Sequence, residues 1–457
     1  MPLYESELSA DRVSFVEILG HTVANITPSA MATVTLSLVV AEGGLLTWAV
    51  YLVVGVLMLL VAAQVAALAQ EVPAAGSLFV SLSQALHPAA GVLSGWCMTG
   101  GYLGALLAAP VIGGLFVAKA LPIVGMAVPW PLVALAFSLT SWALTVRDVE
   151  LATRYSLLIE AVSLVIIASI GVVTLARVGV FDRVQWHAPF AARPFFHAIT
   201  LSILAYGGFE TAANFGREGR SPTRSVPAAI LAAVLFSMVF YVFMAYAEMA
   251  GFANHPSLLA GTEAPLSALA VGEGLPLLAF FSDLAMAIAA LSATIATLNS
   301  LSRLWYSMGR HRVLPAVFGG VGSRKTPSYA LHVLGASTTL FAVAAGVLGW
   351  SPLASVNLFG VFTALGFIFI YIFAMVAVPV MRRRRGWPVS WTATLALLTV
   401  VPLLLYVFSQ NFQGTSGITL MAAYGFLAYL SMGACVYVVW RRGALQGRGF
   451  ARSRHDD

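Results

Sequence analysis

A Gly-Gly pair and a carboxylate lie near the middle of one strongly apolar segment, residues 202–214. The pair is Gly207 and Gly208, and the carboxylate is Glu210. Paired glycines allow a helix to unwind, and unwound backbone at bilayer depth is tolerated only where it is buried in protein or lines a cavity. We therefore expect this segment to form half of a binding site whose other half lies elsewhere in the chain.

A second interruption occurs in the first apolar run of the chain, where Thr27, Pro28 and Ser29 separate two apolar stretches. Proline removes a backbone hydrogen bond and clashes with the preceding turn, so the helix is predicted to break at this point. Thr27 is the expected N-cap of a new half-helix, and Pro28 is its expected first residue. A simple proline kink is the alternative for this run taken alone.

Helix dipoles assign a chemistry to the two predicted breaks. The half-helix N-termini at residues 29–31 and 209–211 attract an anionic group such as a carboxylate, and the unwound carbonyl groups suit an ammonium. A site that attracts a carboxylate at one end and an ammonium at the other fits an amino acid. The predicted substrate-binding residues at the breaks are Asn25, Ile26, Thr27, Ser29, Ala30, Met31, Ala205, Tyr206, Gly207, Gly208 and Phe209.

The whole chain is far more apolar than a soluble protein, with 60% hydrophobic and only 9% charged residues in 457. About 20 apolar residues are needed for each crossing of a bilayer. We predict an all-α polytopic membrane protein that forms a single transmembrane domain over residues 1–457, with a disordered tail at 448–457. The twelve predicted spans lie near residues 14–40, 46–70, 91–119, 128–146, 152–178, 195–216, 226–250, 275–302, 329–349, 352–381, 391–409 and 417–440.

Basic residues predict the orientation of these spans. With the N-terminus inside, twenty of the 24 Lys and Arg residues fall in cytoplasmic segments. We therefore expect a multi-pass protein of the cytoplasmic membrane with both termini cytoplasmic and no cleavable signal peptide. The net charge of +6 is an orientation signal and does not indicate nucleic-acid binding. Residues 382–385, four arginines, are a predicted cytoplasmic anchor and a candidate contact for anionic membrane lipids.

The two interrupted runs are the first and the sixth, which are five helices apart and cross the membrane in opposite directions on this topology. That spacing is the signature of an inverted repeat with the site at the interface of its halves. The predicted architecture is therefore a five-plus-five inverted repeat in which helices 1 and 6 are broken. The repeats span residues 14–178 and 195–381, and two further helices follow at residues 391–440.

Three motifs, in order along the chain, resemble those of the amino acid–polyamine–organocation superfamily. Residues 216–227, which follow a Gly-Phe-Glu, are similar to its "Glu-x-x-x-Asn-Pro-x-Arg-x-Ile-Pro" loop, and residues 71–79 are similar to its "Phe-Pro-x-Ala-Gly-Gly-x-Tyr" stretch. Residues 299–327 are similar to its "Asn-x-x-x-Arg-x-x-Tyr-x-Met" pattern with "Leu-Pro" and "Thr-Pro" downstream. The resemblance spans nearly the whole chain and implies an amino acid permease with a LeuT-like fold. It does not specify the substrate.

The chain also departs from the family pattern. Many members carry Gly-Ser-Gly at the first break, where residues 28–30 are Pro-Ser-Ala. Some proton-coupled members place a lysine in helix five, and Ser163 lies at about that position, with Glu160 one turn before it.

Ionisable groups inside a bilayer are candidates for function. Glu210, Glu160, Ser163 and His21 are predicted to act in coupling or gating. The alternatives are a structural cap for Glu210, an inert hydrogen-bonded acid for Glu160 and an interhelical hydrogen bond for His21. Tyr102 and Asn299 are predicted to line the site.

The resulting prediction is a secondary active transporter for an amino acid or related amine, working by alternating access and coupled to protons or to exchange. The alternatives are a non-coupled amino acid channel or facilitator, and a substrate sensor on the same fold. We expect no enzyme, because the sequence has no HExxH, Gly-x-Ser-x-Gly or paired-Asp motif. The expected partners are the small-molecule substrate, membrane lipids and coupling protons. No metal, cofactor or nucleic acid is expected, and the oligomeric state is left open.

Overall fold

The computed structural model describes residues 13–71, 78–147, 149–215, 221–262, 264–322, 326–413 and 417–445, and the regular elements in these ranges are helical. The predicted disordered tail at 448–457 lies outside the described residues. The α-helices, in chain order, are α1 (Phe15–Ile26), α2 (Pro28–Val34), α3 (Leu36–Gly43), α4 (Thr47–Glu71), α5 (Leu78–Ala85), α6 (Pro88–Ala120), α7 (Trp130–Arg147), α8 (Val149–Val178), α9 (Arg183–Trp186), α10 (Ala192–Ser202), α11 (Pro222–Gly251), α12 (Pro256–Ala260), α13 (Pro265–Gly272), α14 (Pro276–Arg310), α15 (Ser328–Val347), α16 (Pro352–Arg384), α17 (Trp391–Gln410) and α18 (Ile418–Leu445).

Nine helical segments of the described chain are long and apolar enough to cross a membrane. They account for nine of the twelve predicted spans. The fourth predicted span forms the 18-residue helix α7, and the first and sixth spans are interrupted, so neither gives one long helix. The chain is therefore a polytopic membrane protein whose regular structure, over the ranges given above, is helical.

The first predicted span breaks at Thr27. This residue has a left-handed conformation with φ 52° and ψ 60°, which ends α1, and Pro28 begins α2 as predicted. Thr27 occupies the N-cap position as predicted, but the capping hydrogen bond expected of its side chain is wrong. Its hydroxyl donates to the carbonyl of Ala24 at 2.8 Å and makes no capping bond to α2. The Thr27 hydroxyl thus bonds back to the helix that ends there, and the start of α2 is left to another group.

The sixth predicted span breaks at the Gly-Gly pair. Helix α10 ends at Ser202 and continues as a 3₁₀ turn over Ile203–Tyr206, and a second 3₁₀ helix covers Phe209–Phe215 beyond the break. Gly208 has φ 110°, in the region that favours glycine. The glycine therefore permits the turn that separates the two helical pieces.

The two breaks contact each other. A Cβ atom added at Gly208 would lie 2.9 Å from the carbonyl oxygen of Asn25 and 3.1 Å from the amide nitrogen of Ile26. The backbone of the sixth span thus packs directly on the end of α1, and only a residue without a side chain allows this approach. The fold unites two segments that are about 180 residues apart in the sequence.

Polar pairs link elements at the ends of the helices. Arg385 donates to Glu71 at 2.6 Å, and Arg384 donates to the carbonyls of Ala85 and Leu86 at 3.0 Å each, so the predicted arginine anchor holds the end of α16 against α4 and α5. Exposed pairs of this kind contribute about 0–1 kcal/mol each. They fix positions of helix ends more than they stabilise the fold.

Substitution of Gly208 by alanine is expected to destabilise the protein. The new Cβ meets the Asn25 carbonyl, and the unfavourable backbone conformation alone costs about 1–3 kcal/mol. Gly207→Ala is the matched control, because the φ angle of Gly207 is not positive. The apparent midpoint of thermal unfolding in detergent should fall more for Gly208→Ala than for Gly207→Ala. Equal midpoints would show that the close contact between the breaks is absent.

Candidate substrate site at the helix breaks

Glu160 of α8 caps the helix that begins after the first break. The hydroxyl of Ser29 donates to Oε1 of Glu160 at 2.7 Å, and the backbone amide of Ser29 approaches the same oxygen at 3.4 Å. Glu160 is 1% exposed, and Ser29 is fully buried. A carboxylate at a helix N-terminus interacts favourably with the free amides and the helix dipole. The cap predicted for Thr27 is therefore supplied by an acid from another helix.

Several of the amides that were predicted to face a cavity are used within the chain. Besides Ser29, the amide of Met31 donates to the carbonyl of Thr27 at 3.0 Å, and that of Thr211 donates to Gly208 at 3.1 Å. Ile26 and Ala30 are buried in the protein core, whereas Gly207 is only partly buried. The breaks are thus closely packed, and they expose fewer donors than the sequence analysis expected.

Glu210 lies at the centre of a hydrogen-bonded cluster. Its Oε1 accepts from the hydroxyl of Tyr102 at 2.8 Å, and its Oε2 accepts from the hydroxyl of Tyr371 at 3.1 Å and the amide of Gly208 at 3.2 Å. The ring of Phe209 stacks on that of Tyr371 with centroids 5.2 Å apart. The cluster connects α6, the sixth span and α16 through one carboxylate. This geometry fits both a gating group and a structural cap, the two roles weighed for Glu210.

A cluster of three tyrosines lies on the other side of the sixth-span break. The hydroxyl of Tyr206 donates to the carbonyl of Tyr51 at 2.7 Å, and that of Tyr241 donates to the carbonyl of Ala205 at 2.6 Å. The ring centroids of Tyr241 lie 5.3 Å from Tyr51 and 5.1 Å from Tyr206. The carbonyl of Ala205, a predicted ligand for an ammonium, therefore already has one donor.

His21 and Asn25 join the end of α1 to α14. Nε2 of His21 lies 3.1 Å from the hydroxyl of Ser300 and 3.1 Å from Nδ2 of Asn25, and Thr297 donates to Oδ1 of Asn25 at 3.4 Å. His21 thus makes the interhelical hydrogen bond that was the alternative to a coupling role. Its Nδ1 is buried and has no partner in the described residues.

Two predicted site residues do not meet the breaks through hydrogen bonds. Ser163 donates to the carbonyl of Ala285 at 2.9 Å and so connects α8 to α14. Asn299 is fully buried, and neither polar atom of its amide has a partner within the described chain. Asn299 is one residue before Ser300, and successive residues are about 100° apart around a helix, so the two side chains face different neighbours.

Glu248 is a buried acid that the sequence analysis missed. It lies in the last turn of α11, is 1% exposed, and has no hydrogen-bond partner for either carboxylate oxygen among the residues described. The sequence does contain a signal for Glu248, because it is a lone acid in an apolar run. The same pattern identified Glu160.

The apolar helices define a multi-pass membrane protein, and buried polar groups surround its two touching breaks. A family model of amino acid permeases matches residues 18–448. The chain therefore belongs to the amino acid permease family.

Individual relatives are more distant. An uncharacterized transporter of Mycobacterium tuberculosis is 28% identical over 291 residues, which cover 62% of this chain and 63% of that transporter. The branched-chain amino acid permease BcaP of Lactococcus lactis is 28% identical over 41% of this chain and 38% of its own length. The low-affinity putrescine importer PlaP of Escherichia coli is 23% identical over 60% of this chain and 62% of its own length. The matches thus span less than two thirds of these relatives, which are transporters and permeases and not enzymes.

Removal of the Tyr371 hydroxyl tests the cluster around Glu210. Tyr371→Phe leaves a buried carboxylate oxygen with one donor fewer, which should cost about 1–3 kcal/mol of stability. In a double-mutant cycle with Glu210→Gln, measured by unfolding in detergent, the two effects should be non-additive. Tyr429→Phe is the matched control, because that hydroxyl donates to the carbonyl of Trp96 and shares no partner with Glu210. Additive effects for Tyr371→Phe would contradict the cluster.

Proposed function

We propose that this chain is a secondary active transporter that moves an amino acid or a related amine across the cytoplasmic membrane by alternating access. The observation that carries the proposal is the contact between two interrupted helices, where Gly208 packs against the Asn25 carbonyl and a buried carboxylate adjoins each break. Secondary transporters of several folds hold substrates at discontinuous helices near the bilayer midplane. Buried acids at such a place supply groups for substrate binding and coupling.

The proposed architecture has twelve spans arranged as two inverted repeats of five helices, over residues 14–178 and 195–381, with two further helices at 391–440. The interruptions fall in the first and the sixth predicted spans, and this spacing of five supports an inverted repeat. The alternation of Lys and Arg along the sequence supports both termini on the cytoplasmic side. A count of eleven or thirteen spans would place the later arginine clusters on the wrong side.

The proposed substrate lies between the two breaks, in contact with the residues that flank them. Glu160 is the proposed coupling group and Glu210 the proposed gating group, because each adjoins one break and is tied to helices other than its own. His21 and Asn25 connect the same region to α14. The names of the relatives include a branched-chain amino acid permease and a putrescine importer, which supports both amino acids and amines as candidate substrates.

Uptake into proteoliposomes tests the proposal. Purified protein should give saturable uptake of at least one labelled amino acid or amine, and an imposed proton gradient should change the rate more than a sodium gradient does. Empty liposomes and protein unfolded by heat provide the controls. Monodisperse, folded protein that gives no saturable flux with any member of the panel would overturn the proposal. Saturable flux whose rate does not change with either gradient would indicate a facilitator.

Glu160→Gln tests the coupling role. The amide retains an oxygen that can accept the Ser29 hydrogen bond, so the protein should still fold, but it cannot take up a proton. The proton-dependent component of uptake should fall by about tenfold. A factor of this size corresponds to a typical coupling free energy. Glu273→Gln makes the same change at a more exposed acid beside Arg177 and should preserve the wild-type pH profile. An unchanged profile in Glu160→Gln would exclude Glu160 as the proton carrier.

A further inference from the structure

The connector between α8 and α10, residues 179–191, is tied to the rest of the protein through its polar groups. The carboxylate of Asp182 accepts from Nδ2 of Asn254 at 2.8 Å and from Nε2 of Gln185 at 3.3 Å. Gln185 of α9 is fully buried, and its Nε2 also donates to the carbonyl of Tyr246 at 3.1 Å. The backbone amide of Asp182 donates to the hydroxyl of Tyr246 at 2.7 Å. The polar side of the connector therefore faces the end of α11 and the residues just after it.

The apolar side chains of the connector are the exposed ones. Val180, Phe181, Val184, Trp186 and Phe190, which we call the connector face, are 52–74% exposed. The rings of Phe181 and Trp186 stack with centroids 6.2 Å apart. A loop in water has the opposite arrangement, because burial of its apolar side chains lowers the free energy and its polar side chains are hydrated. Exposed apolar surface next to a buried glutamine indicates that the connector face contacts something other than water.

The position of the connector identifies the bilayer as its occupant. The connector begins directly after α8, whose segment Leu157–Val178 is long and apolar enough to cross a membrane, and it leads into α10, the first piece of the sixth predicted span. Trp186 packs against Trp48 near the start of α4, another such segment, with ring centroids 4.8 Å apart. Aromatic side chains are enriched where spans end and lipid headgroups begin. The ends of two spans thus hold the connector at a membrane surface.

The charges beside the connector face are positive. Arg183 lies within the connector and Arg193 two residues after it, and both are exposed. Asp182 is the only acidic residue of the connector, and its carboxylate accepts hydrogen bonds from Asn254, Gln185 and the amide of Val184. A guanidinium matches a phosphate group through two parallel hydrogen bonds, and arginine near a membrane surface attracts anionic lipids. An anionic phospholipid headgroup therefore fits this charge.

We propose that the connector face inserts into the headgroup region of the bilayer, where Arg183 and Arg193 bind the phosphate groups of anionic phospholipids. This surface is separate from the helix breaks and from the arginine run at residues 382–385. Because the connector leads directly into α10, a lipid bound here fixes the start of the helix that ends at the Gly-Gly break. The proposal does not depend on the proposed transport function.

A fluorophore on single cysteines tests the insertion. The background is full-length Cys435→Ser protein in lipid nanodiscs, in which the remaining Cys97 is 1% exposed and both membrane surfaces are open to a soluble quencher. Labels placed through Phe181→Cys and Phe190→Cys should be quenched by phospholipids brominated close to the headgroup. The same labels should be protected from iodide in water, because an inserted apolar face is surrounded by lipid.

Ser257→Cys is the matched control for water exposure. Ser257 is exposed in α12, and the nearby Asn254 bonds to Asp182, so the control label lies at the same end of the protein. Iodide should quench it. Connector labels that respond to iodide and not to brominated lipid would overturn the proposal. Protection from both quenchers would also overturn it and would indicate that a second copy of the chain or another protein covers the connector face.

The choice between headgroups tests the two arginines. In nanodiscs that contain equal amounts of phosphatidylglycerol and phosphatidylcholine, with one or the other brominated, the anionic lipid should quench the label at position 190 about twofold more strongly. The preference should disappear when Arg183→Gln and Arg193→Gln are combined. Leu398→Cys, at a site of α17 that is 68% exposed, is the control and should show no preference.

Two results would overturn the headgroup contact. The first is equal quenching by both lipids at position 190 with the arginines intact, which decides the question even if the double variant does not fold. The second is a preference that persists in the folded double variant. These measurements involve no transport, so their failure would leave the proposed function intact, and the loss of uptake activity would not affect them.

Discussion

The hydrogen bond between Ser29 and Glu160 is the contact on which the first break depends. Backbone amides inside a bilayer must find partners within the protein, and each interruption of a helix creates amides that have lost theirs. Here the first break is closed by an acid from α8 and the second by Glu210, which reaches back to Gly208. One carboxylate at each break thus provides a partner for a backbone amide that the interruption leaves unpaired. This allows two interrupted helices to lie in an apolar interior.

Those carboxylates also hold distant helices in place. Glu160 fixes the start of α2 to α8, and Glu210 joins the sixth span to α6 and α16 through Tyr102 and Tyr371. Because Gly208 packs against the Asn25 backbone, a displacement of the backbone at either break changes the packing at the other. Two short polar networks thus connect both breaks to α6, α8 and α16.

Local chemistry along the sequence was sufficient to predict both breaks. Proline cannot continue a helix hydrogen-bond ladder, and paired glycines are expected only where the backbone must turn, so residues 27–29 and 207–208 could be recognised by type alone. The partner of Ser29 could not be recognised from the sequence in this way, because Glu160 lies 131 residues further along the chain. Hydropathy shows where a helix runs but not how it is rotated. The orientation of Thr27, Asn299 and Ser163 depends on that rotation, and so does the distinction between a capped amide and an exposed one.

The two breaks differ in their freedom to move. Pro28 has a ring that fixes its φ angle, and the residue before it is held in a left-handed conformation, so the first interruption is a rigid corner. The second contains two adjacent glycines, whose torsion angles can change at little steric cost. Of the two interruptions, the one in the sixth span therefore has the backbone with fewer intrinsic restrictions, and the one in the first span has the more restricted backbone. The two breaks thus resemble each other in position and contact, but a proline restrains one and a pair of glycines loosens the other.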